Sequence, residues 1–425
     1  GSLLSSLSHD APSAGMAASS VLDSVGCAPV KDWDVDYPVQ ESLIPSAHFY
    51  AQYHGHPLRY LRTVHAHARA SGKKVIWLVG DSSLDNKHWL FTNKFREKTQ
   101  DPLVDDSYCG DAVNGYEQML DPPRSVKDVC YWINVLLTEA AAKRKSGEGG
   151  SYPTQPTYTC INAAVEESTV ADRSEGLLAH DQFVRDHLRE GDVIVASLGG
   201  NDIALRPTQA TMASVAALNF LNPLTMVESD WAIGGGALNS ILRQGVEEFL
   251  RKLTQVHKPA LIVPCMVYYP CVPGQGWSDQ ILDYLGYTES PEKVQAIMRM
   301  AFRRYTSNIV VGDVQLLPMG LYNALDANDL RDYDNRVEPS VRGGVKMAAF
   351  LLDGMKECIG EEVKKEPSAA DKESSKEKDE ATQKECEPRQ QMDGAKKEGR
   401  EREEESKERG REVEKGFLEI SQRYL

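Results

Sequence analysis

The sequence predicts an α/β fold, namely a three-layer α/β/α sandwich around a five-stranded, flavodoxin-like parallel sheet. Short apolar runs alternate with segments of helical spacing along most of the chain. Strands that are covered on both faces read as continuous apolar runs, and strands joined by helices pair in parallel. With 41% hydrophobic residues in 425 positions, the chain is long enough to bury a large core.

Each predicted strand is a short apolar run near glycine or polar residues. The predicted strands are residues 73–80, 158–165, 192–200, 260–269 and 309–317. The segments with helical spacing are residues 126–145, 174–188, 239–257, 291–305 and 341–358.

Composition divides the chain into three parts. Residues 36–360 carry the predicted domain, and residues 1–35 form a Ser/Ala-rich, flexible N-terminal extension. Beyond residue 360, more than half of the residues are charged and apolar residues nearly vanish. Such a segment buries too little surface to offset its chain entropy. Residues 361–425 are therefore expected to be a solvated low-complexity tail, whose partner is unknown.

Charge and cysteine usage exclude several classes of protein. The net charge of −15 argues against a nucleic-acid partner, because phosphate binding needs a clustered basic face. The eight cysteines are widely spaced, which indicates neither a zinc site nor a disulfide framework. No apolar run is long enough to span a membrane, and no cofactor is expected. We expect a cytoplasmic protein, unless a targeting segment precedes Gly1.

Two short motifs follow predicted strands. In an open parallel sheet, ligands bind beyond the carboxyl ends of the strands. Residues 80–83 (GDSS) would place the Ser82 hydroxyl on a tight turn, before a helical turn through Leu84, Asn86 and Trp89. Residues 199–202 (GGND) offer the Asn201 amide as an oxyanion donor. Either motif alone is more simply a turn with a capping side chain.

The order of the segments VIWLVGDSS, CINAAVEEST and VIVASLGGND resembles the first three blocks of the SGNH/GDSL hydrolase family. The resemblance spans residues 73–360. It implies an esterase, lipase or carbohydrate deacetylase that acts on a small-molecule ester or acylated glycan. It also implies a serine nucleophile, an oxyanion hole from a glycine N–H and an asparagine, and a late Asp-x-x-His pair.

The resemblance implies roles for individual residues of this chain. Ser82 matches the nucleophile and Asn201 the oxyanion asparagine, while Glu167 stands where the family has glycine. The remaining residues expected to line the site are Gly80, Asp81, Gly200 and Asp202, of which Asp202 is better explained as a cap or supporting group.

The final block departs from the family pattern. Residues 335–340 (NRVEPS) align with the block that carries the Asp-x-x-His pair in the family, but Asn335 and Glu338 stand at the Asp and His positions. No histidine follows His257. A serine hydroxyl needs a positioned base near neutral pH. Glu338 could be that base, His88 could replace it, or the domain could be a catalytically inactive ligand-binding module.

Four other interpretations stay open. Asp81, Asp202 and Glu338 could hold a divalent metal for phosphoester cleavage, and the HxH pairs at residues 54–56 and 65–67 could supply metal ligands, although no third ligand is evident. Residues 218–237 could form a lid or an ordinary insertion. Residues 266–277 could form a substrate-facing wall.

Overall fold

The computed structural model describes residues 43–90, 102–146 and 156–359. The main sheet of this part of the chain has five parallel strands. They are β1 (Lys74–Gly80), β2 (Tyr158–Asn162), β3 (Val193–Ser197), β4 (Leu261–Met266) and β5 (Met319–Gly320). Their spatial order, β2-β1-β3-β4-β5, is the flavodoxin-like order, in which ligands bind where the order reverses between β1 and β3.

Helices cover the sheet. They are α1 (Ser46–Tyr50), α2 (Leu58–Ala70), α3 (Val129–Ser146), α4 (Ala179–His187), α5 (Gly200–Ala204), α6 (Gln209–Leu221), α7 (Leu224–Glu228), α8 (Gly236–Asn239), α9 (Val246–Leu253), α10 (Asp279–Tyr284), α11 (Pro291–Arg304) and α12 (Val341–Ile359). Single 3₁₀ turns occur at Pro102–Val104, Tyr116–Gln118, Ala171–Arg173, Thr306–Asn308, Leu321–Asn323 and Leu330–Asp332. Paired short strands are Ile44–Pro45 with Leu120–Asp121, Cys109–Asp111 with Arg124–Val126, and Tyr333–Asp334 with Glu338–Pro339.

The alternation of side chains along β1 builds the two outer layers. Val75, Trp77 and Val79 belong to the apolar cluster that includes residues of α2, α4 and α9. Ile76 and Leu78 belong to the opposite cluster, with residues of α3 and α12. Successive strand residues point to opposite faces, so a fully apolar strand must be covered twice. The predicted three-layer α/β/α class is confirmed.

The fifth strand differs from its prediction. Residues 309–317 are largely irregular, and only Leu316 forms an isolated bridge, to Ile262. Ile309 and Val311 are buried without forming a strand, so their apolar character reflects burial alone. The strand itself is β5, which starts two residues beyond the predicted segment.

Residues between β3 and β5 form a third apolar cluster beside the sandwich. Side chains of α6, α7, α8, α10 and α11 pack together there. The segment 218–237, which could have been a lid, contributes Leu218 and Val227 to this core. This packing fits the interpretation of residues 218–237 as an ordinary insertion. The predicted helix over 239–257 is also interrupted, because a π-helical turn, Ser240–Gly245, joins α8 to α9.

The structure describes six cysteines, and all six carry free thiols. Among the described residues, no helix is both long and apolar enough to cross a bilayer. The predicted N-terminal extension (residues 1–35) and charged tail (residues 361–425) lie outside the described residues.

Gly80 ends β1 at a point where no larger residue fits. Its φ is +128°, and a Cβ added there would lie 1.8 Å from the Ser197 carbonyl oxygen. Positive φ favours glycine, and the backbone of β3 cannot yield as a flexible side chain would.

We therefore expect Gly80→Ala to lower the free energy of unfolding by about 3 kcal/mol or more. Thermal melting of purified variants measures this loss. Gly176→Ala is the control, because a Cβ at Gly176 meets nothing within 4 Å. Equal melting temperatures for the two variants would contradict the close approach of Gly80 to the backbone of β3.

Candidate active site

Ser82 lies on a turn that follows β1 directly. The Asp81 N–H donates to the Ser197 carbonyl at 3.0 Å, and the Asp81 carboxylate accepts the Ser83 N–H at 3.0 Å. Asp81 thus shapes the turn, and burial raises its pKa to about 6. Neither the hydroxyl nor the N–H of Ser82 is hydrogen-bonded to any residue that the structure describes. Both groups are available to a ligand.

The helix predicted directly after Ser82 begins later than expected. Residues 82–84 form a turn, and helical structure starts only at residue 87. Asp81 and its hydrogen bonds, rather than a helix N-terminus, therefore hold the turn that presents Ser82.

Asn201 lies in the first turn of α5, just beyond β3. Its Nδ2 atom donates to the Ser168 carbonyl at 3.1 Å, which leaves the second amide hydrogen without an acceptor among the described residues. The neighbouring Gly200 lies close to the Ser82 turn, because a Cβ added to Gly200 would be 4.0 Å from Asp81 Oδ2. The two motifs that sequence predicted at separate strand ends therefore meet at the β1–β3 reversal.

Glu167 adopts the backbone conformation that usually requires glycine, with φ at +60°. Its carboxylate accepts a hydrogen bond from the Tyr53 hydroxyl at 2.7 Å, and its carbonyl accepts one from Arg206 at 2.7 Å. Its N–H has no acceptor among the described residues. A carboxylate therefore replaces glycine here without occupying the backbone donor.

Asp202 supports the neighbouring loop. Its carboxylate accepts the N–H groups of Val170 and Ala171 at 2.8 and 3.1 Å, and burial raises its pKa. This arrangement matches the capping role considered for Asp202. It stabilises the turn that follows Glu167.

Glu338 is buried at the rim of the site. It belongs to the short hairpin Tyr333–Asp334/Glu338–Pro339, and Asn335, at φ +57°, turns the chain between the strands. The Glu338 side chain is only 2% exposed, and its Oε2 atom has no hydrogen-bond partner. Burial, reinforced by the charge of Asp81, raises the pKa of Glu338 well above its ordinary value.

The Ser82 turn and the Glu338 hairpin are neighbours, although these two side chains form no direct hydrogen bond. Asn86 Nδ2 donates to the Pro339 carbonyl at 3.0 Å, which joins the loop after Ser82 to the residue after Glu338. The charge of Asp81, the residue before Ser82, raises the pKa of Glu338. The hairpin that carries the base candidate is thus joined to the loop that follows the nucleophile candidate.

Glu166 is a site residue that sequence reasoning missed. It is 2% exposed, its Oε1 accepts a hydrogen bond from Trp89 Nε1 at 3.3 Å, and its Oε2 has no partner. Burial, together with the charge of Glu338, raises the pKa of Glu166 well above its ordinary value, while Lys87 opposes the shift. The available signal was a charged residue directly after the predicted strand 158–165.

The histidines considered as bases or ligands have other contacts. His88 packs against Tyr53, with ring centroids 4.2 Å apart, and against Trp89. His54 Nδ1 lies 3.1 Å from the Glu166 carbonyl oxygen, and His56 is buried against Phe49. Within residues 43–90, 102–146 and 156–359, no group of three potential ligands is arranged to hold a metal. This arrangement therefore gives no support to a metal site at Asp81, Asp202 and Glu338 or at the HxH pairs.

Aromatic residues of the proposed wall reach the same carboxyls. The charges of Glu338, Asp81 and Glu166 raise the pKa of the buried Tyr268, and Trp277 helps to lower that of Glu338. A separate cleft is lined by residues such as Tyr50, Asp128 and Asn134, and includes neither Ser82 nor Glu338.

Comparison with known proteins gives similarity to solved esterase and hydrolase structures. No family model matches the chain, and no curated protein matches it. A Clostridium thermocellum family 3 carbohydrate esterase is 12% identical, with 68% of this chain and 98% of that chain covered, at a TM-score of 0.28. LAE5, an α/β hydrolase from the metagenome of Lake Arreo in Spain, is 12% identical, with 67% of this chain and 96% of that chain covered, at a TM-score of 0.31. An extracellular lipase from Streptomyces rimosus is 10% identical, with 67% of this chain and 99% of that chain covered, at a TM-score of 0.31. At these scores the similarity carries no argument about activity.

The raised pKa of Glu338 predicts how stability depends on pH. As pH rises above the ordinary glutamate pKa, the unfolded chain ionises first, so the folded state loses stability until its own pKa is passed. Glu338→Gln removes this loss, so its melting temperature should rise relative to that of the wild type as pH increases above the ordinary glutamate pKa of about 4. In free energy of unfolding, the gain of the variant over the wild type is about 1.4 kcal/mol for each unit by which folding raises the pKa of Glu338. A melting difference that is constant with pH would contradict the raised pKa.

Proposed function

We propose that this chain hydrolyses carboxylic esters by acyl transfer through Ser82. The observation that carries the proposal is a set of three unoccupied donors at the β1–β3 reversal, namely the Ser82 N–H, the Glu167 N–H and one Asn201 amide hydrogen. Donors aimed at a developing oxyanion contribute a few kcal/mol each. Lipid esters and acetylated carbohydrates are the candidate substrate classes.

In the proposed reaction, Ser82 Oγ attacks the ester carbonyl while Glu338 takes the hydroxyl proton. The three donors stabilise the negative charge on the carbonyl oxygen. Glu338 then returns the proton to the leaving alcohol, and an acyl group remains on Ser82. Water attacks the acyl-enzyme while Glu338 accepts its proton, and Glu338 then returns that proton to Ser82 Oγ as the carboxylic acid departs.

The base form of Glu338 increases with pH through a pKa that burial raises. We therefore expect kcat/KM to rise with pH through a midpoint above the ordinary glutamate value. Protonated Glu338 cannot accept the proton of Ser82, so activity should fall at acidic pH.

A ligand-binding module without turnover is the second candidate. It is favoured by the absence of a hydrogen bond from Ser82 to Glu338, whose Oε2 is unpartnered. In that case, Ser82 and Asn201 would contact a ligand without reaction.

Hydrolysis of short-chain p-nitrophenyl esters, together with labelling by a fluorophosphonate, tests the proposal. We expect Ser82→Ala to abolish labelling and to reduce kcat by about 1,000-fold or more, and Glu338→Gln to lose activity similarly. The exposed Ser240→Ala is the matched control and should behave as wild type.

Asn201→Ala should react slowly with the fluorophosphonate, and its kcat should fall by about 100-fold or more, because one oxyanion donor is removed. Full turnover in Glu338→Gln would exclude Glu338 as the base. A folded wild-type protein that neither labels nor hydrolyses esters at any pH would exclude the proposed activity and favour the binding module.

A further inference from the structure

Glu167 brings a negative charge to the position where the proposed reaction needs a backbone donor. Its N–H is one of the three donors assigned to the oxyanion, and its carboxylate belongs to the same residue. A carboxylate beside a developing oxyanion would oppose catalysis, because like charges repel most strongly where water is excluded. The proposed reaction therefore requires that this side chain be held in place.

The contacts of Glu167 occupy its two acceptor groups and leave its N–H available. The carbonyl oxygen accepts a hydrogen bond from Arg206 Nη2 at 2.7 Å, and carboxylate Oε1 accepts one from the Tyr53 hydroxyl at 2.7 Å. Arg206 forms its ion pair with the Asp172 carboxylate. The described structure thus holds the Glu167 charge with a neutral phenol, while the N–H keeps no acceptor among the described residues.

Tyr53 is itself fixed by contacts that do not involve Glu167. Its ring packs edge-on against the ring of His88, with centroids 4.2 Å apart. Two residues later, the Gly55 N–H donates to the buried Asp85 carboxylate at 3.1 Å. A donor that its surroundings already hold loses little conformational freedom when it forms its hydrogen bond. The phenol is therefore a preorganised partner for the carboxylate.

We propose that Tyr53 is a positioning residue of the oxyanion hole, whose hydroxyl holds the Glu167 carboxylate so that the N–H of Glu167, and not its charge, faces the oxyanion. This inference rests on the proposed function and deepens it. The backbone of Glu167 already has a glycine-like φ of +60°, so its side-chain charge is what distinguishes it from a glycine at this position. Without the phenol, that side chain is free to rotate and its charge to approach the oxyanion.

Ester hydrolysis and fluorophosphonate labelling of the full chain test this role. We expect Tyr53→Phe to lower kcat and the rate of labelling by about 10-fold or more, the effect of losing one hydrogen bond to a charged group. KM should stay near the wild-type value, because the oxyanion forms only in the transition state. In a wild type that hydrolyses esters, an unchanged kcat in Tyr53→Phe overturns the proposal, whether KM changes or not.

Tyr158→Phe is the matched control. The Tyr158 hydroxyl donates to the Gly191 carbonyl at 3.2 Å, and Tyr158 begins β2, whereas Glu167 follows the other end of that strand. This variant also loses one phenol hydrogen bond, but it should keep the wild-type kcat and labelling rate. An equal loss of kcat in Tyr158→Phe would show a general structural effect and would overturn the specific role of Tyr53.

Removing the charge of Glu167 should make Tyr53→Phe silent. Glu167→Gly keeps the backbone N–H and suits the positive φ, and Glu167→Gln keeps the length of the side chain without its charge. Whatever the kcat of each single variant, adding Tyr53→Phe should cause no further loss in either background, and the double-mutant cycle measures this coupling. Losses equal to that in the wild-type background would overturn the proposal.

Thermal melting tests the contact without relying on turnover. Tyr53→Phe should lower the melting temperature of the wild type more than that of Glu167→Gly, because only the wild type has a carboxylate to lose its donor. Equal losses overturn the anchoring of Glu167 by Tyr53, even if esters are hydrolysed. A folded wild type that neither labels nor hydrolyses esters refutes the proposed function, and the melting cycle still decides whether Tyr53 holds Glu167.

Discussion

The buried ion pair between Asp85 and Lys87 is the interaction on which the site depends. Both side chains are fully buried, and removing two charges from water costs several kcal/mol for each ion before their attraction offsets it. Asp85 also accepts the N–H groups of Gly55 and Glu166 at 3.1 and 3.3 Å. One carboxylate thus joins the loop after β1, the segment before α2 and the loop after β2. These are the segments that carry Ser82, Tyr53 and Glu167.

This arrangement also determines the charge state of the site. Because Lys87 is committed to Asp85, it only partly offsets the burial of Glu166. Burial then raises the pKa values of Glu166 and Glu338 together. Protonating a buried carboxyl costs the protein less than keeping it as an unpaired negative charge.

The sequence predicted the sheet well because its signals are local. Runs such as residues 73–80 are apolar over their whole length, as strands covered on both faces must be. The prediction of a strand over residues 309–317 was wrong, because Ile309 and Val311 are buried in irregular structure. Burial produces the same sequence signal with or without a strand.

The site was predictable only where motifs follow strands. Ser82 and Asn201 follow β1 and β3, and the strand order alone brings those ends together. The contacts of Glu166 with Trp89 and of Tyr53 with Glu167 join residues 77 and 114 positions apart. No local pattern encodes such pairings. The left-handed conformation of Glu167 was indicated only by the family resemblance, which has glycine at this position, because a glutamate itself gives no sign of a glycine-like φ.

A carboxylate base places a different demand on the site than a histidine does. Histidine becomes a cation when it takes the serine proton and so attracts the adjacent oxyanion, whereas Glu338 in the proposed reaction would become neutral and offer no such attraction. In that reaction the N–H groups of Ser82 and Glu167, with the Asn201 amide, would have to stabilise the oxyanion unaided. Any further negative charge nearby would oppose them, most strongly where water is excluded.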